Sequence, residues 1–407
     1  MSRWSNKYVI GLTGNIATGK SVVRQMLQHL GAYTIDADGL AHQAMSPGAP
    51  AYRPVVEAFG QIILNPDKTI NRAVLGNMAF SNPEALKKLE AITHPIIGQA
   101  INTLVSRSKQ PVVVIEAIKL LEGSLAADVD AVWVVDASPK TQYIRLLTKR
   151  KMSEQDAKQR ILSQNPQAEK LKKANVVIKN DGNVEETWKA VQAAFSAIKQ
   201  PEVATPAPPP PAQSKPAAQP AQAAPPAEKE ADVETSPAGE VDVTGVSIKR
   251  GMPNNAEAIA DFVNKNTGQS LSRMDVMMSF GEKSYLLASP ESSDVISGLS
   301  GFQVENLITR VDEFVLTTAG ESKRVAYALI RAIEDASIAL QSEVAFFFLP
   351  SNTDASVLQP LIDSGYEATT VKEIKIPAWR EAVQEVNHEG VQILTRKLRK
   401  DRVLKPI

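Results

Sequence analysis

Residues 8–21 read Tyr8-Val9-Ile10-Gly11-Leu12-Thr13-Gly14-Asn15-Ile16-Ala17-Thr18-Gly19-Lys20-Ser21, an apolar run that leads straight into Gly-x-x-x-x-Gly-Lys-Ser. A phosphate cradle needs a strand, a glycine-bounded turn and a helix in that order. The two glycines let successive backbone N–H groups curl around phosphate oxygens, and the helix opening at Lys20 adds the positive end of its dipole. The pattern therefore assigns Gly14, Asn15, Ile16, Ala17, Thr18, Gly19, Lys20 and Ser21 to a nucleoside triphosphate. Lys20 would lie on the β- and γ-phosphates and Ser21 on Mg2+. Val22, Val23, Met26, Leu27 and Leu30 follow near helical spacing, which argues against a chance Gly-rich turn.

Short β-branched runs at 33–35, 112–115, 131–135 and 176–178 alternate with helical stretches. Together with 8–12 they predict an α/β unit with a five-stranded parallel sheet, covered on both faces and gathering ligands at the carboxyl ends of its strands. Asp36 and Asp38 fall at such an end. In a kinase, one carboxylate here takes the proton of an acceptor hydroxyl while the other orients Mg2+ through water. The competing reading is that both only cap the next helix. Asp36-Ala-Asp-Gly39 also fits the D-x-x-G of GTP switches, but it follows the phosphate loop too closely to leave room for a first switch, and no Asn-Lys-x-Asp guanine signature occurs. Arg145, Lys149, Arg150, Lys151 and Arg160 cluster late and suggest a helical lid that closes on the triphosphate.

The chain has 407 residues, 43% hydrophobic and 22% charged, enough for two or three cores. It has no cysteine, which excludes a disulfide framework, a thiolate metal site and a cysteine nucleophile, so any metal must be held by oxygen or histidine. No signal-like start and no long apolar run occur, so a cytoplasmic protein without membrane or nucleic-acid partners is expected. The first 200 residues carry 25 Lys and Arg against 17 Asp and Glu, and a basic half suits phosphorylated ligands. Residues 201–237 hold 11 of the 26 prolines and no aromatic residue. That composition cannot bury a core. It predicts a disordered, semi-stiff Pro/Ala-rich linker over 201–240 that holds two independently folded units, 1–200 and 241–407, apart.

With the phosphate loop come Ile35-Asp36-Ala37-Asp38, Ser46-Pro-Gly-Ala-Pro50, Phe59-Gly60, Ile70-Asn-Arg72, His94-Pro95, Leu120-Leu-Glu122, Gln142-x-x-Arg145-Leu146, Arg160-Ile-x-x-Gln164 and Asn180-Asp-Gly182. In order and spacing, residues 7–199 resemble the dephospho-coenzyme A kinase family. The resemblance implies ATP- and Mg2+-dependent phosphorylation of the ribose 3′-hydroxyl of dephospho-coenzyme A. It makes Asp38 the base, Asp36 its partner near Mg2+ with Ser21, and Arg145 a catalytic lid arginine beside Lys20. It also puts Lys149, Arg150 and Asn180 with the nucleotide and Arg72 and His94 with the acceptor, while Lys119, gained beside the cleft where the family pattern differs, is expected to meet the acceptor too. For His94 the bland alternative is a helix cap before Pro95. Two departures stand out. The family's Asp-x-Pro-Leu-Leu-Phe-Glu reads Glu116-Ala-Ile-Lys119-Leu-Leu-Glu122 here, and its lid Arg-Asp reads Lys149-Arg150. The rival functions are another small-metabolite P-loop kinase, and a coenzyme A sensor or scaffold with a vestigial kinase site.

From 241 onward, strands at 246–250, 285–288, 298–308 and 313–316, a long helix over 322–340, a strand at 344–349 and then Gly365-Tyr366 resemble the order of Gcn5-related N-acetyltransferases, an α+β fold. The Q/R-x-x-G-x-G/A pyrophosphate turn of that family reads Glu321-Ser-Lys-Arg324-Val-Ala326, and Leu361 stands where its tyrosine acid is usual. A non-catalytic unit is expected, with residues 1–200 carrying the kinase reaction by themselves.

Overall fold

The computed structural model describes residues 3–4, 6–123, 125–198, 243–317, 322–386 and 389–404. The expected linker at 201–240 and Glu321 lie outside them. The first unit runs β1 (Tyr8–Thr13), α1 (Lys20–His29), β2 (Tyr33–Asp36), α2 (Ala37–Ala44), α3 (Tyr52–Phe59), α4 (Arg72–Ser81), α5 (Pro83–Arg107) and β3 (Val112–Glu116). It continues with α6 (Leu125–Asp128), β4 (Ala131–Asp136), α7 (Pro139–Thr148), α8 (Glu154–Leu162), α9 (Gln167–Lys172), β5 (Val176–Lys179) and α10 (Val184–Ser196). The strands form a parallel sheet in the order β2-β3-β1-β4-β5, so β1 and β3, both almost wholly buried, run side by side through its middle. This is the predicted five-stranded sheet. Reversal of strand order between β3, β1 and β4 opens a crevice at their carboxyl ends, where the phosphate loop sits.

The second unit adds β6 (Val246–Arg250), α11 (Ala256–Thr267), α12 (Arg273–Ser279), β7 (Ser284–Pro290), β8 (Gly298–Glu305), β9 (Ile308–Leu316) and α13 (Ser322–Ala339). It ends with β10 (Val344–Pro350), α14 (Ala355–Asp363), β11 (Glu367–Thr369), α15 (Pro377–Gln384) and β12 (Val391–Lys397). Its sheet order is β11-β12-β10-β9-β8-β7-β6. Every neighbouring pair is antiparallel except β9 with β10, which run parallel over Ile308–Val311 and Val344–Phe347 and pair no further. The acetyltransferase-like element order is therefore present. One strand assignment needs correction. Residues 298–308 are not one strand, because the chain turns at Asn306 and Leu307, which have φ of 50° and 65° and make β8–β9 a two-residue hairpin. Positive φ at both central positions suits the right-handed twist of a hairpin, and asparagine tolerates it.

The hairpin tip also overturns the picture of two units held apart. Leu307 is buried in the same apolar cluster as Tyr33, Ile35, Leu40 and Leu104 of the first unit, and Leu404 joins it. Around it, Gln341 Nε2 donates to Leu104 O at 2.7 Å and Gln43 Nε2 to Asn306 O at 2.6 Å. Helix α1 makes much of the contact. Gln25 Nε2 donates to Ser284 Oγ at 3.1 Å, and Arg250 donates to Gln28 O and His29 O, two carbonyls of the last turn, at 3.2 and 3.0 Å. Proline content governs only the connecting segment. The faces of α1 and the hairpin tip decide whether the units meet.

Candidate active site

The loop between β1 and α1 takes the conformation its glycines allow. Gly19 lies at φ 95° directly before α1, and a Cβ there would collide with Asn180 Nδ2, so only glycine fits. Asn180 closes the turn by donating from Nδ2 to Thr18 O at 2.8 Å, and Thr187 Oγ1 holds its other end at 2.9 Å. Arg145 does similar work. Its guanidinium donates to Ala17 O and Thr18 O at 3.2 and 3.1 Å and to Asn180 O at 2.7 Å. The lid arginine implied by the resemblance thus braces the loop backbone.

Two loop amides are aimed at acceptors. Asn15 N donates to Gln167 Oε1 at 3.1 Å and Ile16 N to Gln164 Oε1 at 2.8 Å. Both acceptors come from the segment that joins α8 to α9 and opens α9. Lys20 is buried, with Nζ 3.2 Å from Asn15 O, and burial lowers its pKa against the opposing pull of Glu116 and Asp38. Arg150 is close enough to repel that charge, whereas Lys149 is the exposed C-cap of α7.

The carboxylates converge from two strand ends. Asp36 caps α2 by accepting from Gly39 N at 2.9 Å. Asp38 instead accepts from Ile118 N at 3.0 Å. Burial raises the Asp38 pKa, Asp36 adds to the rise, and the Ile118 bond, Lys20 and Lys119 oppose it. Lys119 also approaches Glu90 at 3.7 Å. Two further groups escaped the sequence reading. Lys170 is buried with Nζ 3.1 Å from Ile118 O and near Asp38, and Glu116 is buried at the end of β3. Glu116 Oε1 accepts from Ser21 Oγ at 3.3 Å and Oε2 from Arg24 Nε at 2.7 Å, while burial raises its pKa. Its signal was present in the sequence: an acidic residue directly ending a central apolar strand.

The acceptor-side residues fall elsewhere. Arg72, at the start of α4, pairs with Glu381 Oε1 of α15 at 2.6 Å, and His42 Nε2 meets Glu381 Oε2 at 2.9 Å. Both face a cavity of about 470 Å3 that Ser46, Asp67 and Arg380 also line. His94 is exposed in mid-α5, with Pro95 inside the same helix, so the cap before a first-position proline does not form; Asn82 caps that helix instead.

Loop amides, a buried ammonium and carboxylates at adjacent strand ends are placed to hold a polyphosphate and to draw a proton from an incoming hydroxyl. That makes the first unit a P-loop phosphotransferase. The family description "CoaE: Dephospho-CoA kinase" matches residues 8–186. A dephospho-CoA kinase from Geobacter metallireducens is 47% identical over 46% of this chain and 94% of its own. The chain belongs to the dephospho-CoA kinase family. Among solved structures, a dephospho-CoA kinase from Campylobacter jejuni is 28% identical, covering 47% of this chain and 96% of that one, with a TM-score of 0.33. A ribosomal-protein-S18-alanine N-acetyltransferase from Escherichia coli is 10% identical over 39% of this chain and 96% of its own, with a TM-score of 0.31.

Proposed function

We propose that this chain transfers the γ-phosphoryl group of ATP to the ribose 3′-hydroxyl of dephospho-CoA, giving CoA, with Asp38 as the base. The observation that carries the reading is Asp38 itself. Its carboxylate is open to an incoming group, pinned by Ile118 N and electrostatically coupled to Lys20, so an acceptor hydroxyl brought to it meets the base beside the phosphate cradle. A carboxyl whose pKa is raised by desolvation is a stronger base than an ordinary aspartate once it is ionised. Lys20 neutralises charge that spreads over the transferring group, and the amides of Asn15 and Ile16 bind its oxygens once Gln164 and Gln167 give way.

The all-oxygen set of Ser21, Glu116 and Asp36 fits a hard divalent cation that also takes phosphate oxygens as ligands. Bound there with the nucleotide, Mg2+ would offset the charge of the β- and γ-phosphates. Glu116 orients the Ser21 hydroxyl, and Arg24 holds Glu116. Arg72 and His42 line the cavity on the acceptor side, and we assign them with Lys119 to the acceptor.

The test is a coupled assay of ATP consumption by the full chain with dephospho-CoA, set beside adenosine, shikimate and pantothenate. Turnover with dephospho-CoA at least a hundredfold above the others is expected. Equal turnover with another acceptor would replace the assignment with a different small-metabolite kinase.

A further inference from the structure

Arg24 lies one turn into α1, is 4% exposed and meets a carboxylate on each side. Its Nε donates to Glu116 of the first unit and its NH2 group to Glu305 Oε1 of the second, both at 2.7 Å. Glu305 Oε2 in turn accepts from Arg310 at 3.2 Å, and Arg310 reaches Glu385 at 3.0 Å. Charges therefore alternate along one line from Glu116 through Arg24, Glu305 and Arg310 to Glu385. The near end of that line touches Ser21 of the phosphate loop.

Glu305 is held there by the two residues that follow it. Asn306 lies against Gly39, so close that a Cβ on Gly39 would collide with its side-chain amide, and its carbonyl accepts from Gln43. Leu307 is buried among Tyr33, Ile35 and Leu40. The β8–β9 tip is thus wedged between the turn that carries Asp36 and Asp38 and the helix that carries Lys20 and Ser21. A buried guanidinium shared by two carboxylates leaves the trio with a net negative charge, and Glu116 keeps part of that charge toward Ser21. Without Glu305, Arg24 turns its full charge on Glu116, and the carboxylate beside the loop is neutralised.

We propose that the second unit is a working part of the kinase centre and that Glu305, at the tip of its β8–β9 hairpin, is a positioning residue that sets the geometry and charge of Glu116 through Arg24. The inference rests on the kinase reading of that centre. It gives the acetyltransferase-like unit a role that requires no acyl transfer.

The experiment compares Glu305→Gln, Arg24→Gln and the double variant in the full chain, measuring kcat, the KM values for ATP and dephospho-CoA, and the unfolding midpoint by circular dichroism. Lys249→Gln, which removes an exposed ion pair with Asp294, serves as the control. Glu305→Gln should lower kcat about tenfold with the KM for ATP within about twofold, and the control should match wild type. The double variant should match Arg24→Gln alone, because Glu305 acts only through Arg24. A folded Glu305→Gln protein with unchanged kcat, or losses that multiply in the double variant, would overturn the inference while leaving the kinase reading intact. A wild-type chain that fails to phosphorylate dephospho-CoA would overturn the kinase reading and this inference with it.

Discussion

Lys20 and Asp38 make separable contributions, so their variants should fail differently. Lys20 is a buried charge at the cradle, and Lys20→Ala should cut turnover by roughly a hundredfold or more in a protein that still folds. Near-normal steady-state turnover would refute its placement at the phosphates. Asp38→Asn keeps shape and the approach to Ile118 N but removes the base, so kcat should fall by roughly two orders of magnitude while the Kd for ATP, read by titration calorimetry, changes little. Equal losses in both would argue that Asp38 binds nucleotide. Both residues were legible in the sequence because each sits at a fixed offset from an apolar strand. Lys170 was not, since its importance depends on α9 bringing it beside Asp38 from far along the chain, and Glu116 showed only as an acidic residue ending an apolar strand, its place beside Ser21 being set by the sheet.

Helix α1 was read from the sequence as an apolar stripe behind a phosphate loop, and that stripe does pack on the sheet through Val23, Met26 and Leu27. Its other buried face is polar. Arg24, Gln25, Gln28 and His29 are each no more than 4% exposed, and periodicity of apolar residues carries no trace of this. The helix is held at both ends: Gly19 and Asn180 shape its start, and Arg250 donates to the carbonyls of Gln28 and His29 at its finish. A cation at a helix C-terminus is favourable, and Arg250→Ala should lower stability by about 1 kcal/mol, seen as a fall of a few degrees in Tm. No shift in Tm would mean the contact is idle in solution. Gly19→Ala forces φ 95° on a residue with a side chain and drives it into Asn180. It should weaken ATP binding at least tenfold in an equilibrium titration.

Between the two units, His29 acts as a buried wedge. Its ring meets Trp188 of one unit and Phe280 of the other edge-on, and Nε2 lies 3.1 Å from Lys283 O. Burial, reinforced by Arg250, pushes its pKa down to about 4. A depressed folded value means the native state binds fewer protons than the unfolded chain. The stabilisation is therefore complete above about pH 6.5 and is lost as pH falls from there toward about 4, a change on the order of 3 kcal/mol. Denaturant unfolding between pH 7 and 4 checks this, and His29→Gln should flatten that part of the profile. The same interface predicts the behaviour of a nicked chain. Protease should cut within the proline-rich 201–240 stretch, and the two fragments should still co-elute on gel filtration, because Leu307 and Leu404 belong to the apolar cluster of the first unit. Separation into free fragments would contradict the docking, and so would full kinase stability of residues 1–200 alone.

By itself the sequence determined the parallel sheet, the phosphate loop and the Asp36–Asp38 turn. Each depends on local periodicity and on glycines or carboxylates at short, fixed spacing, and such patterns act within one strand–turn–helix unit. The expectation that 201–240 builds no core is a matter of composition, and that stretch lies outside the described residues. Only the tertiary structure decided that the two units meet, that Arg145 braces the loop, and that Arg24 divides its charge between Glu116 and Glu305. Those are contacts between residues up to 281 positions apart. Their energy comes from burial and charge pairing between whole surfaces, and no short window of sequence contains both partners.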